Sequence, residues 1–200
     1  KKVLLENAIT PIQQYSYSTG KNASDSALII DAMDILYTGK VDGFCIVSSD
    51  SDFTRLATRL REAGMKVIGI GEKKTLNPFI TACDKFIYLE ILKPQVVAPV
   101  ENDPKKVAVN TPAPAREPLS KIDPEIIKLF NDSIDDLADE DGWTFLGELG
   151  NLVLKKKSDF DPRNYGFSKM LPLIKSMNTF EIDERTTNKS HVKHIYIRKK

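Results

Sequence analysis

No apolar stretch in the 200-residue chain approaches the roughly eighteen residues a membrane-spanning helix needs. The opening KKVLLENAIT is no signal peptide either, because Glu6 and Asn7 interrupt its short apolar part. Cysteine is scarce: Cys45 and Cys83 sit in separate apolar segments with no CxxC or histidine spacing. That excludes a disulfide framework and a zinc ribbon, and points to buried free thiols in a reducing, cytoplasmic compartment. Charge of one sign is lacking as well, since 29 basic residues face 28 acidic ones. A nucleic-acid partner would therefore be held by local patches, not by a global field. The only histidines, His191 and His194, are three apart on an expected strand and point to opposite faces, so they share no metal. Repeats of solenoid or propeller period are absent.

What is present falls into two parts. Six of the eleven prolines lie in KPQVVAPVENDPKKVAVNTPAPAREPLS, a segment without hydrophobic periodicity. It cannot bury enough surface to offset its ordering entropy, so 92–120 reads as a linker between residues 1–91 and 121–200. In the first part, PIQQYSYS (11–18) has extended character and SDSALIIDAMDILYTG (24–39) reads as a helix stopped by Gly39. GFCIVSS (43–49) is a short continuous apolar run, the mark of a strand buried on both faces. DFTRLATRLREAG (52–64) is an amphipathic helix, and KVIGIG (66–71) and KFIYLE (85–90) are further buried strands around the short helix LNPFITACD. Alternating strands and helices predict an α/β fold with a Rossmann-like parallel sheet.

In such a sheet, chemistry gathers outside the carboxyl ends of the strands. Asp50 and Asp52 leave strand 43–49 in CIVSSDSDF. Two carboxylates so close invite a divalent cation, since otherwise they repel. The same residues also suit a helix start, because aspartate caps helices and favours their first turn. The pair alone fits both readings equally. Asp25 shifts the balance: in GKNASDSAL it opens the helix that follows 11–18, on the same expected rim, with Lys21 and Asn22 placed for a phosphate or carboxylate.

The stretch from KNASDSALIIDAMDILYTG through VSSDSDFTRLATRLREAGMKVIGIG to DKFIYLE resembles the NYN domain family, relatives of PIN-type nucleases, across nearly all of residues 10–90. The resemblance implies hydrolysis of RNA with Mg2+ or Mn2+ held by a cluster of acids. By motif position the family's acids correspond to Asp25, Asp50 and Asp52, with Ser49 and Ser51 as polar residues beside them. The family begins with a strand carrying a further acid, and no such stretch precedes Lys1. Residues 1–91 are therefore expected to be an N-terminally incomplete domain. Lys21, Asn22, Arg55, Lys73, Lys74 and Thr75 are candidates for holding backbone phosphates, each weighed against a role as ordinary surface.

The second part opens with Asp123–Pro124, a cap followed by proline at the first helical position. Helical patterns follow over 124–142, 143–157 and 165–177, the last shortened or kinked by Pro172. TFEIDER and HVKHIYIRK alternate with period two as a hairpin. Three helices and a hairpin make the plan of a small winged helix-turn-helix domain. GWTFLGELGNLVLKKKSDFDPRNYGFSKMLPLIKSM with its hairpin resembles the OST-HTH family, also called LOTUS. That resemblance implies binding of RNA, in some members structured or G-rich RNA, and in some a protein partner. Lys155, Lys156, Lys157, Arg163, Lys169 and Lys193 are the basic candidates, while Trp143, Phe145, Leu146 and Leu149 read as core. The expected function is a metal-dependent ribonuclease with an RNA-binding module, away from membranes. Its rival is a non-catalytic RNA-binding scaffold.

Overall fold

Continuous apolar runs joined by amphipathic helices build the first sheet. The computed structural model of the chain describes residues 2–15, 23–92, 118–186 and 193–200. β1 (Gly43–Val47), β2 (Lys66–Gly71) and β3 (Lys85–Tyr88) lie side by side in that order, all parallel. Their carboxyl ends therefore form one rim and their amino ends the other. Helix α3 (Thr54–Glu62) connects β1 to β2 and α4 (Asn77–Ala82) connects β2 to β3. Leu56, Ala57 and Leu60 of α3 recur at helical spacing and are buried with Val67, Phe79 and Phe86. Gly64, at φ 81°, ends that helical segment in the left-handed region that glycine adopts without strain. Helix α2 (Ala23–Thr38) adds Ile29, Ala32, Met33 and Leu36 to the same core.

Three expectations change here. A short helix, α1 (Lys2–Glu6), begins the described chain, and residues 11–15 form no strand; the rest of the expected strand, 16–18, lies outside the described residues. β1 is not buried on both faces. Among the described residues it is the edge of the sheet, with Gly43, Cys45 and Val47 exposed. Cys45 is accordingly an exposed thiol, contrary to expectation, whereas Cys83 is buried as expected. Beside β1, Leu28 and Ile35 of α2 and Phe44, Ile46 and Leu56 line an apolar groove of about 400 Å³.

In the second part, α5 (Pro124–Leu137) starts where sequence placed it: the Ile126 amide donates to Asp123 Oδ1 at 2.9 Å. α6 (Leu146–Lys156) and α7 (Met170–Met177) follow, then the antiparallel pair β5 (Phe180–Thr186) and β6 (Lys193–Lys199). Pro172 stands in the first turn of α7, so it shortens that helix and does not kink it. The segment expected to be helical from 143 instead opens with a two-residue strand, β4 (Thr144–Phe145), on the other side of β6. Strand alternation then buries Thr144 and turns Phe145 outward, correcting the core assignment of Trp143 and Phe145. Both belong to an aromatic and cationic layer outside the sheet, where Arg198 lies 4.6 Å over the Trp143 ring and Arg185 4.2 Å over Tyr196. Leu149 is core, with Phe130, Ile134, Val153, Leu173, Ile174 and Ile197.

The two units meet along β3. Its Phe86 amide donates to the Ser158 carbonyl at 2.8 Å, and Ser158 Oγ donates to the Ile80 carbonyl at 2.8 Å. The Tyr88 hydroxyl donates to Asp159 Oδ2 at 2.7 Å; burial first, then that carboxylate, pushes the phenol's pKa well up. The edge of β3 is thus covered by chain from the second unit. Among the described residues no helix is long and apolar enough to cross a membrane.

Two outcomes check this arrangement. Asp84 Oδ2 accepts from the Val67 amide at 2.8 Å and Oδ1 pairs with Arg61 Nε at 3.0 Å, so Asp84→Ala strips a partner from the amide of a fully buried residue. It should lower stability by about 1–3 kcal/mol in denaturant unfolding, with Asp84→Asn losing less. Burial raises the Cys83 thiol to about 11, so at mildly alkaline pH an aromatic disulfide reagent should label one thiol quickly in the native chain. Cys45→Ser should abolish that fast phase.

Candidate functional site

The carboxyl-end rim is assembled by small polar residues leaving β1. The Ser48 amide donates to the Ile70 carbonyl at 2.9 Å, carrying the ladder one step past the strand. Ser49 Oγ accepts from the Glu72 amide at 2.9 Å and so ties the exits of β1 and β2 together. Gly71 is required at this crossing, because a Cβ there would lie 2.5 Å from the Ser48 carbonyl oxygen. Chain direction then reverses through a single 3-10 turn, Ser51–Phe53, before α3.

Asp50 caps that turn. Its own amide donates to Ser48 Oγ at 3.0 Å, and its Oδ1 accepts from the Asp52 amide at 2.9 Å. Both carboxylates are exposed at the rim. Capping and an outward carboxylate therefore coexist at Asp50: one oxygen is committed to the backbone, which leaves the other for solvent or a ligand. Asp25 lies in the first turn of α2, half-buried, with Ser24 Oγ donating to its Oδ1 at 3.3 Å. Helix α2 packs against the turn that carries Asp52.

Carboxylate oxygens have the right donor chemistry for a hard divalent cation. Yet among the described residues no three histidine, cysteine, aspartate or glutamate side chains come close enough together to hold a metal ion. As arranged, Asp25, Asp50 and Asp52 do not form a complete ligand set.

The phosphate candidates divide sharply. Lys21 and Asn22 lie outside the described residues. Thr75 does not face the rim as a free hydroxyl: it is 6% exposed and donates to the Glu72 carbonyl at 2.6 Å, closing the turn after β2. Ser51 contributes its carbonyl to Thr54 and starts the 3-10 turn. Arg55 is exposed but paired with Glu62 at 3.3 Å. Lys74 is held by Glu72, which raises its pKa. Lys73 Nζ donates to the Leu119 carbonyl.

In the second unit Arg163 makes a bidentate pair with Asp161, through Nε at 2.9 Å and Nη2 at 2.7 Å. Burial works to raise the Asp161 carboxyl, but the Arg163 hydrogen bonds outweigh it and hold it below the usual carboxylate range. The guanidinium fork of Arg163 is thereby engaged by the Asp161 carboxylate. Lys156 pairs with Asp136 at 2.6 Å and Lys157 with Asp159 at 3.3 Å. Lys155 and Lys169 are exposed, and the backbone of Lys193 begins β6.

Asp50→Ala should cost about 1 kcal/mol through loss of the cap, whereas Asp50→Asn, which keeps an acceptor oxygen, should change stability by only a few tenths. Thermal unfolding of the two variants beside wild type separates the structural role from any chemical one.

Comparison with known proteins agrees with this architecture. Residues 1–90 match the family model for the NYN domain, and residues 117–192 match the OST-HTH/LOTUS domain. An uncharacterized protein of Nitrosomonas europaea, known from a solution NMR structure, is 31% identical over 48% of this chain and 90% of that one, with a TM-score of 0.38. No curated protein matches. The chain thus carries an NYN domain over residues 1–90, followed by an OST-HTH/LOTUS domain over residues 117–192.

Proposed function

We propose that this chain acts on RNA as a metal-dependent endoribonuclease, with Mg2+ or Mn2+ as its cation and the OST-HTH domain as its RNA-binding module. The observation that carries the reading is the placement of Asp50 and Asp52, both exposed, at the carboxyl-end rim of a parallel sheet in an NYN domain. Asp25 is the third acid of the proposed centre, and Ser49 holds the rim in shape through the Glu72 amide. The cap that Asp50 makes to the Asp52 amide fixes the spacing of the two carboxylates before any substrate arrives. RNA backbone would be held by basic side chains, of which Lys155 and Lys169 are exposed. A protein partner of the OST-HTH domain is compatible with the same reading.

The second reading is an RNA-binding scaffold without catalysis. It is favoured by the failure of the described acids to gather into a metal-holding set.

Incubation of the chain with single-stranded RNA and Mn2+ or Mg2+ distinguishes them. Cleavage that disappears in Asp50→Asn/Asp52→Asn, with RNA binding retained, supports the nuclease. Cleavage that persists in that variant removes these residues from the centre, and an inert wild type that still binds RNA favours the scaffold. The Asn replacements keep the cap acceptor, so loss of cleavage would not come from unfolding of the rim.

A further inference from the structure

At the end of the sheet opposite the acids, the two domains enclose a cleft of about 690 Å³. Its position follows from the contacts along β3: Ser158 and Asp159 dock on Phe86, Ile80 and Tyr88 and bring the end of α6 over the amino ends of β2 and β3. Ile80, Cys83 and Leu154 supply its apolar part. Its charged lining is unbalanced. Arg61 and Lys66 from the NYN domain face Lys155, Lys156 and Lys157 from the OST-HTH domain, against only Asp84 and Asp159.

Three of those cations are engaged: Arg61 with Asp84 at 3.0 Å, Lys156 with Asp136 at 2.6 Å, and Lys157 with Asp159 at 3.3 Å. Lys66 and Lys155, one from each domain, make no ion pair among the described residues, and both are exposed. Lysines in the last turn of α6 also complement its dipole, which accounts for Lys155 and Lys156 on their own helix. That does not account for Lys66 and Arg61, which belong to another domain and add cations to the same cleft. Docking the domains thus concentrates positive charge, an arrangement that an anion would relieve. The side-chain amides of Asn77 and Asn151 line the cleft and offer neutral donors and acceptors.

We infer that the RNA-binding surface to which Lys155 belongs is this interdomain cleft, shared by both domains, in which Lys66 and Lys155 hold phosphates of the backbone while the amides line its path. The inference rests on the RNA-directed reading above but not on catalysis. β2 spans six residues, or roughly 20 Å of strand, so the cleft is well separated from Asp50 and Asp52. A bound strand would be gripped by both domains behind the sheet and remain free to reach the acid rim.

The test is fluorescence anisotropy of a labelled single-stranded RNA with the full chain in chelator, repeated across a salt series. Lys66→Gln/Lys155→Gln should weaken binding and reduce the steepness of log K against log salt by about 1.4, about 0.7 for each phosphate that is no longer neutralised. Lys155→Glu alone should weaken it further than Lys155→Gln. Unchanged affinity and salt slope in the double variant, with wild-type binding intact, overturn the cleft while leaving RNA binding in place. Absence of binding by wild type overturns both. Stabilisation by inorganic tripolyphosphate that the double variant loses, without any change in RNA affinity, assigns the cleft to a free polyphosphate and overturns its role toward RNA.

Discussion

The hydrogen bond from the Phe86 amide to the Ser158 carbonyl joins the second domain to the edge of the first domain's sheet. A parallel sheet of three strands has two edges, and an uncovered edge leaves a row of backbone groups unsatisfied within the fold. Ser158 covers one edge by presenting its carbonyl to β3 and its hydroxyl to the Ile80 carbonyl, so one residue of the second domain completes both a strand and a helix end of the first. Tyr88 and Asp159 continue the seam. From this docking follow the position of α6 and the cleft at the amino ends of β2 and β3.

That rim shows why cap and ligand are poor alternatives for Asp50. A strand that ends at a helix must reverse, and its exposed amides need acceptors. Asp50 supplies one to Asp52, and Ser48 supplies one to Asp50. The requirement of the turn thereby places two carboxylates outward, one residue apart, at the end of the sheet where ligands of this architecture gather. Structure and chemistry ask for the same residue types here.

Much of this was legible in the sequence because it rests on local rules. Apolar runs located β1, β2 and β3 to within two residues, Asp123–Pro124 located the start of α5, and period-two alternation located β5 and β6. The misses have a common cause: they depend on what lies next to an element, which a single chain segment does not state. GFCIVSS looks buried on both faces, yet β1 stands at an edge and Cys45 faces out. Trp143 and Phe145 look like helix core, yet pairing with β6 draws Thr144 and Phe145 into a strand and sends the aromatic ring outward. Thr75, Lys73 and Arg163 are candidates by residue type, and each is occupied by a neighbouring carbonyl or carboxylate. Lys66 carries no local signal at all: it opens a strand at the amino end of the sheet, and its surroundings are built by a domain more than eighty residues downstream.

On the other side of β1 no strand pairs with it among the described residues. β1 carries Gly43, Cys45 and Val47 outward beside a groove lined by Leu28, Ile35 and Phe44, and the exposed Ile30 and Tyr37 lie on the neighbouring helix. Strand edges of this kind pair with whatever extended backbone is at hand. An extended segment lying beside β1 would gain ladder hydrogen bonds and cover the apolar groove in one step, so edge pairing and burial of Leu28 and Ile35 are physically one event.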